Sequence, residues 1–480
     1  MKKIIVIVIT IAILLLPQQG HALRPMSILS EKLSGVKIID VYIDCKPLDV
    51  GRSGDMRLGI ILAKELSQRF PSKNIRLVLN MRAINPDYAK NIFARLWPVE
   101  EMIKYRNVSL IEVEGLYSKV PHADLGIHAI LKDSRPIRFP APQVELLFRE
   151  NDLEYQGNHI WRTEIRGRRR QIVELGLGAD SIGVLVPYEI IERSKEKKLE
   201  KKALCERFAE AEVSQALLDP AKIENIVNTK WSTIVAQEPK SIASFLCLIE
   251  KLRQAEEKIS VFIINKTDTL VNARITKILS NAGIKEIRVI DSSGEVLLEG
   301  TGNITIYLLG VIPNSLMVPL FRACDKPVLV SGNSSCWEAA AAGAVWLYAM
   351  EGWHESFLIG ICDFFRNNGE EEIAKALHVF ANPNKHEMRV LDSQLECFKP
   401  LFQNNAFFEK YARIARLIFE KRNLLFGDGL ERALERAWLN FLVQPEESKA
   451  YKVENFLPLT PTRQSLRNRL APAQAYSQAA

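Results

Sequence analysis

The sequence is short of the residues that build metal centres and of the loops that mark the commonest nucleotide chemistries. Only seven histidines and seven cysteines are spread over 480 residues. No two cysteines form a CxxC pair, and none stands at metal-ligand spacing, so no metal site is expected. A Walker A loop, HExxH, GxSxG and the protein-kinase set are all missing. A full GxGxxG is also absent, which counts against an NAD(P) dehydrogenase. There is no low-complexity tract and no short repeat. The formal net charge of +7 is mild for this length and gives no reason to expect a nucleic-acid partner.

What is present is ordinary in amount and informative in arrangement. A 47% hydrophobic share is enough to bury large cores, and the length suits about two or three domains. The N-terminus reads as a targeting signal. Lys2 and Lys3 precede the apolar run Ile4 to Leu16; Pro17 then breaks it, and Gly20-His21-Ala22 offers a small-x-small cleavage site. The run is shorter than the roughly 20 residues of a spanning helix. The expectation is an exported chain cleaved after residue 22, with an uncleaved anchor, and hence membrane association through the N-terminus, as the alternative. Cleavage would take the net charge from +7 to +5, since residues 1–22 hold two lysines and no acids. The odd cysteine count leaves at least one of Cys45, Cys205, Cys247, Cys324, Cys336, Cys362 and Cys397 unpaired in an oxidising compartment.

Hydropathy patterning predicts two α/β arrays. Val36 to Asp44 reads as a buried strand, Asp55 to Phe70 as an amphipathic helix stopped by Pro71, and Ile75 to Leu79 as the next strand. That order is a βαβ unit, which favours a parallel sheet. A helix at Asn85–Leu96 and strands at Val108–Val113 and Ser181–Pro187 continue the first domain, 36–195. Residues 150–175 read as an inserted hairpin or lid around Gln156-Gly157-Asn158, ending in the basic run Arg166 to Arg170. That run suits a charged edge strand or a contact to an acidic acceptor or membrane. A dense charge run from Glu192 to Glu212 reads as a solvated helix or linker, so the boundary is placed at 196–225. The second domain, 226–445, restarts the alternation with strands at 259–265, 286–291, 303–309, 327–330 and 345–348. Helices are expected at 270–282, 315–324 and 336–342 within it, then at 371–380, 407–421 and 430–442; the tail 446–480 reads as disordered.

Two strand-to-helix turns carry the candidate chemistry. In the second array, a strand ending at Val330 leads into Ser331, Gly332, Asn333, Ser334 and Ser335, then Cys336, Trp337 and Glu338. Unpaired amides and the positive dipole end of a helix suit a diphosphate, and in open α/β folds ligands lie beyond the carboxyl ends of strands. Ser335 and Glu338 also fit a capping box, in which Glu338 reaches back to the Ser335 amide. In the first array, Asp49, Gly51, Gly54 and Asp55 lie between strand and helix. A carboxylate there could be a general base for an acceptor; Asp55 could equally cap the helix and Asp49 shape the turn. His354, after Trp353, could line the cleft. His122 and His128 read as structural, and nothing near Cys45 would activate its thiol.

The same two segments resemble the GT-B glycosyltransferases. They are similar to the bacterial protein-arginine rhamnosyltransferase family and, more distantly, to the lipid II N-acetylglucosaminyltransferase family. The first match is Gly54-Asp55, followed by Leu62-Ala63 and Leu66. The second runs from Leu320-Phe321-Arg322-Ala323-Cys324-Asp325 through Gly332-Asn333-Ser334-Ser335 to Ala341-Ala342-Gly343 and Trp346. The resemblance implies two Rossmann-like domains facing a cleft, with a helical C-terminal region. It implies a nucleotide diphosphate sugar as donor substrate, an acceptor it does not identify, inversion at the sugar, and no obligatory metal or cofactor. It puts Ser335 on the diphosphate and makes Asp55 a base or acceptor clamp. Where the family has an acidic pair at the turn, this chain has Asn333 and Ser334. Gly51 stands where the family has a second acid. Nucleotide sugars are made in the cytoplasm, whereas the leader directs the chain outward. Two readings therefore stand: a glycosyltransferase, and a non-catalytic exported glycan- or nucleotide-binding protein on the same fold.

Overall fold

The computed structural model describes residues 35–44, 54–80, 86–113, 123–130, 142–150, 169–177, 183–211, 213, 220–236, 238–264, 277, 287–300, 302–310, 312–349, 355–381, 392–424, 429–431 and 434. The N-terminal leader, Asp49, Cys45, the turn 156–158, His354, nearly all of the 270–282 helix and the tail 446–480 lie outside the described residues.

The first lobe runs β1 (Ile38–Asp44), α1 (Gly54–Arg69), β2 (Asn74–Asn80), α2 (Pro86–Leu96), α3 (Val99–Met102), β3 (Val108–Val113), β4 (Ala123–Ile130), β5 (Pro142–Glu150) and β6 (Arg169–Leu175). The sheet order is β3-β2-β1-β4-β5-β6 and every pairing is parallel. This is the doubly wound order whose direction reverses beside β1. A parallel sheet is covered on both faces, which favours apolar residues in its central strands. Ile39, Val41 and Ile43 are fully buried in β1, and Ile75 and Leu77 in β2. The exception is a buried ion pair across the two strands: the Arg76 Nε and Nη2 donate to Asp40 at 2.6 and 2.9 Å, and the Tyr42 hydroxyl donates to the same carboxylate at 2.9 Å.

The connector is α4 (Tyr188–Lys195), α5 (Lys201–Glu210) and α6 (Pro220–Val227). It is not the solvated helix its charge suggests. Leu204, Cys205 and Phe208 lie on one face of α5 and are fully buried in the core of the second lobe. Lys201 Nζ, beside them, donates to Asp325 at 2.6 Å and to the Thr229 carbonyl at 2.7 Å.

The second lobe runs β7 (Lys230–Val235), α7 (Pro239–Leu252), β8 (Ile259–Ile263), β9 (Ile287–Ile290), β10 (Val296–Leu298), β11 (Ile304–Leu308), α8 (Asn314–Ala323), β12 (Val328–Val330), α9 (Asn333–Ala341) and β13 (Trp346–Tyr348). Its sheet is ordered β10-β9-β11-β8-β7-β12-β13, antiparallel only at β10. The helix α7 shows the local logic: Pro239 opens it, the Glu238 carboxylate accepts from the Ser241 amide at 2.5 Å, and Ile242, Phe245, Leu246, Leu248, Ile249 and Leu252 are buried while Lys240 and Lys251 reach solvent. The helices α10 (Glu355–Asn367), α11 (Glu371–Ala381), α12 (Asp392–Gln403) and α13 (Asn405–Leu417) follow, then a π turn at Ile418–Arg422. The architecture is thus two Rossmann-like α/β lobes with a helical C-terminal region.

The expected hairpin around 156–158 lies outside the described residues; the strands on either side of it, β5 and β6, pair in parallel as neighbours in the main sheet, with β6 at its edge. Arg169 and Arg170 are the first residues of that edge strand. One local expectation changes. The expected strand at 181–187 makes one bridge, Val184 to Asn423, before Pro187 starts α4. Asn423 binds this segment with its side chain, accepting from the Val186 amide at 3.1 Å and donating to its carbonyl at 3.0 Å. The chain therefore returns to the junction of the lobes after completing the second one.

Candidate functional site

In each sheet the strand order reverses beside one strand, β1 in the first and β7 in the second, and such reversals are where open α/β sheets bind ligands. The turn after β12 lies at the second of these points, because β12 pairs with β7. The Ser331 amide extends that pairing to the Val235 carbonyl at 2.7 Å. Gly332 then turns the chain at φ +83°, in the left-handed region that disfavours a side chain. A Cβ there would meet nothing within 4 Å, so conformation rather than crowding requires the glycine.

Helix α9 begins at Asn333, three residues before the sequence pattern places it. Its first internal bond runs from the Cys336 amide to the Gly332 carbonyl at 3.2 Å. The amides of Asn333, Ser334 and Ser335 precede that bond and have no intrahelical acceptor. The first turn holds no acidic residue, and the residue before it caps it with no side chain. The N-terminus of α9 thus presents three amide donors and a positive dipole end with no carboxylate in its first turn.

The capping box does not form. The Ser335 hydroxyl donates backward, to the carbonyls of Ser331 at 2.7 Å and Gly332 at 3.0 Å. The Glu338 carboxylate, only 4% exposed, meets the Arg57 Nη2 at 2.9 Å instead. Ser334 is half-buried, and the small residues Ala339 and Ala340 are buried. At the end of the helix Gly343 turns at φ +69°, where a Cβ would stand 3.4 Å from that of Ala412 in α13.

In the first lobe, Gly54 and Asp55 open α1, so Asp55 sits in the turn where the helix dipole favours an acid. Its side chain lies outside the description, and only its backbone position enters here. Leu62, Ala63 and Leu66 are fully buried on the face toward the sheet. Arg57 and Lys64, seven residues or about two turns apart, share another face. Lys64 Nζ lies 2.5 Å from Glu101 and 3.9 Å from Glu189 of the connector, over the ring of Trp97 at 5.5 Å. Burial, then the charges of Glu189 and Glu101, push the neighbouring Tyr105 hydroxyl up to about 12. At the far end of α1, Arg69 pairs with Glu431 at 3.2 Å. Each of the three cations on α1 therefore meets a carboxylate from beyond the first sheet.

The structure brings Gly332, the Asn333–Ser335 amides and Glu338 together, and Glu338 ties them to α1, which carries Gly54 and Asp55. Asp49 and His354 lie outside the described residues. The residue missed by sequence reading is Arg57, 281 positions from its partner. One signal pointed to such a partner: a glutamate among Cys336, Trp337 and a run of alanines needs a counter-charge if that helix is buried. Among the described residues no group of three or more His, Cys, Asp or Glu side chains could hold a metal ion. Nor is any helix among them long and apolar enough to cross a membrane. The thiols of Cys205 and Cys324 are pushed up to about 12 by burial.

No family model and no curated protein matches the sequence. Solved structures do match. The chain is similar to the protein of the structure "Structural basis for EarP-mediated arginine glycosylation of translation elongation factor EF-P", at 12% identity and TM-score 0.43, over 84% of this chain and 99% of that one. It is similar to an O-GlcNAc transferase of Thermobaculum terrenum at 11% identity and TM-score 0.41, over 84% of this chain and 68% of that one. It is also similar to an alpha-glucosyltransferase in complex with UDP, at 8% identity and TM-score 0.43, over 84% and 99% of the two chains. At these identities each is a likeness of fold alone.

Proposed function

We propose that this chain is a glycosyltransferase that takes a nucleotide diphosphate sugar at the N-terminus of α9 and transfers its sugar to an acceptor held by the first lobe. One observation carries the reading: three uncapped amides at a strand-order reversal, with no acid in the turn, tied by Glu338 to the helix that opens with Gly54-Asp55. The backbone N–H groups of Asn333, Ser334 and Ser335 bind the diphosphate. Ser335 contributes its amide, since its hydroxyl proton is committed to two carbonyls. Asp55 is the general base that takes the acceptor's proton as the acceptor attacks the anomeric carbon, with inversion; Asp49 supports it, and His354 lines the acceptor side. The amides and the dipole stabilise the departing nucleoside diphosphate, so the step needs no metal.

The N-terminal leader exports the chain when cleaved, or anchors it at a membrane when retained. Asn333 and Ser334, in place of an acidic pair, favour a second reading: a non-catalytic protein that binds glycan or nucleotide at the same turn. The experiment is a panel of nucleotide sugars followed by thermal shift and nucleotide release. A ligand that raises the melting point and is cleaved supports transfer. One that binds without cleavage, with Asp55→Ala changing nothing, supports the binding protein. Absence of any shift overturns transfer and nucleotide binding alike.

A further inference from the structure

Glu338 is 3% exposed and lies one and a half turns into α9, beyond reach of the helix dipole. Its cationic partner among the described residues is Arg57, whose side chain is 21% exposed and belongs to the other lobe. A carboxylate this buried is strongly disfavoured without a partner. Any separation of α1 from α9 therefore strips Glu338 of its counter-charge, and the two lobes are held at the spacing that keeps the pair at 2.9 Å. The other cross-links from α1 are elsewhere. Lys64 meets the connector at an exposed Glu189, and Arg69 meets Glu431 near the far end of the helix. Among the described residues, the Arg57 link alone joins the opening turn of α1 to the helix that begins at Asn333.

We infer that Arg57 and Glu338 are a positioning pair: an inter-lobe strut that fixes the distance between the Gly54-Asp55 turn and the Asn333–Ser335 amides. Neither residue needs to touch the reacting atoms. Resting on the proposed transfer reaction, the strut acts on turnover and not on donor affinity, because the diphosphate is held by the second lobe alone. Transfer needs the first-lobe carboxylate within reach of the acceptor's proton as the acceptor attacks the anomeric carbon, and a misplacement of about 1 Å there costs on the order of 100-fold in rate.

The test compares wild type with Arg57→Ala, Glu338→Gln and the double variant Arg57→Ala/Glu338→Leu. The double variant leaves no stranded charge, so it stays folded even where Arg57→Ala does not. The first readout is the inter-lobe distance without ligand, between spin labels at exposed positions 104 and 295. A single narrow distance in wild type and a broadened distribution in Glu338→Gln and the double variant support the strut. A wild-type distribution in the folded double variant overturns it. The second readout is nucleotide release at saturating donor beside the dissociation constant of the nucleoside diphosphate. The expected result is kcat lowered on the order of 10- to 100-fold with an unchanged dissociation constant; kcat equal to wild type in the double variant overturns the inference. Failure of wild type itself to release nucleotide would sink the transfer reaction and leave the distance measurement to decide the strut.

Discussion

The two helices that follow the candidate turns open with different residues. The turn after β12 is preformed backbone: a left-handed glycine, three donor amides, no acid in the first turn, and a helix whose small residues let it sit close to α13. The opening of α1 places an acid, Asp55, in its first turn and sends a cation, Arg57, across to the other lobe. In the proposed reaction the turn after β12 receives the diphosphate, and the opening of α1 supplies the base and, through Arg57, the link between them. The division follows from the helices themselves. A dipole end with no acid in its first turn favours an external anion more than one that carries an aspartate.

The sharpest way to break this contrast is at the first turn. Asp55→Asn removes a base and keeps the shape, so transfer should fall by about 10²–10⁴-fold, measured as nucleotide release, with donor affinity unchanged. An equal loss of donor affinity would mean that both turns bind donor. Next comes the link between them. Arg57→Ala strands a buried carboxylate and should lower stability by about 2–4 kcal/mol in a urea titration, discounted for the partly exposed guanidinium. The second turn answers to backbone strain. Gly332→Ala should cost about 1–2 kcal/mol, since φ +83° suits glycine, and should weaken nucleoside diphosphate binding.

The smallest effect is alkaline. Burial lifts the thiols of Cys205 and Cys324, in the core shared by the connector and the second lobe, from 9.0 to about 12. The folded state keeps those protons while the unfolded chain loses them above its own value near 9. Their stabilising contribution is therefore complete below pH 9 and declines as pH rises from 9 toward 12. By pH 9.5 the loss should be on the order of 1 kcal/mol. A urea midpoint that rises over that range would contradict the burial of these groups.

Much of the fold was legible because β1, β2, β3, β8, β11 and α1 carry continuous apolar runs or one apolar face. Other elements hid for physical reasons. β7 reads Lys-Trp-Ser-Thr-Ile-Val, too polar for a central strand, yet Ser232 donates to the Pro327 carbonyl at 2.7 Å and Thr233 pairs with the Cys324 thiol, so the buried hydroxyls are satisfied. The connector α5 looked solvated because charge outnumbers its three buried residues. The site was legible as two turns, since strand, glycine and helix start are local signals. Their joining was not: a serine and a glutamate three apart suggested a cap, whereas the glutamate's partner lies in the other lobe, where no local pattern points.

The most direct measurement is a titration of the isotopically labelled protein with UDP, GDP, CDP and dTDP, read at resolved backbone amides. The amides of Asn333, Ser334 and Ser335 should shift first and saturate with one nucleotide, while those of α2 and β6 stay still. Saturable binding that leaves these three amides unmoved, or no binding by any of the four, would contradict the assignment of negative charge to the start of α9.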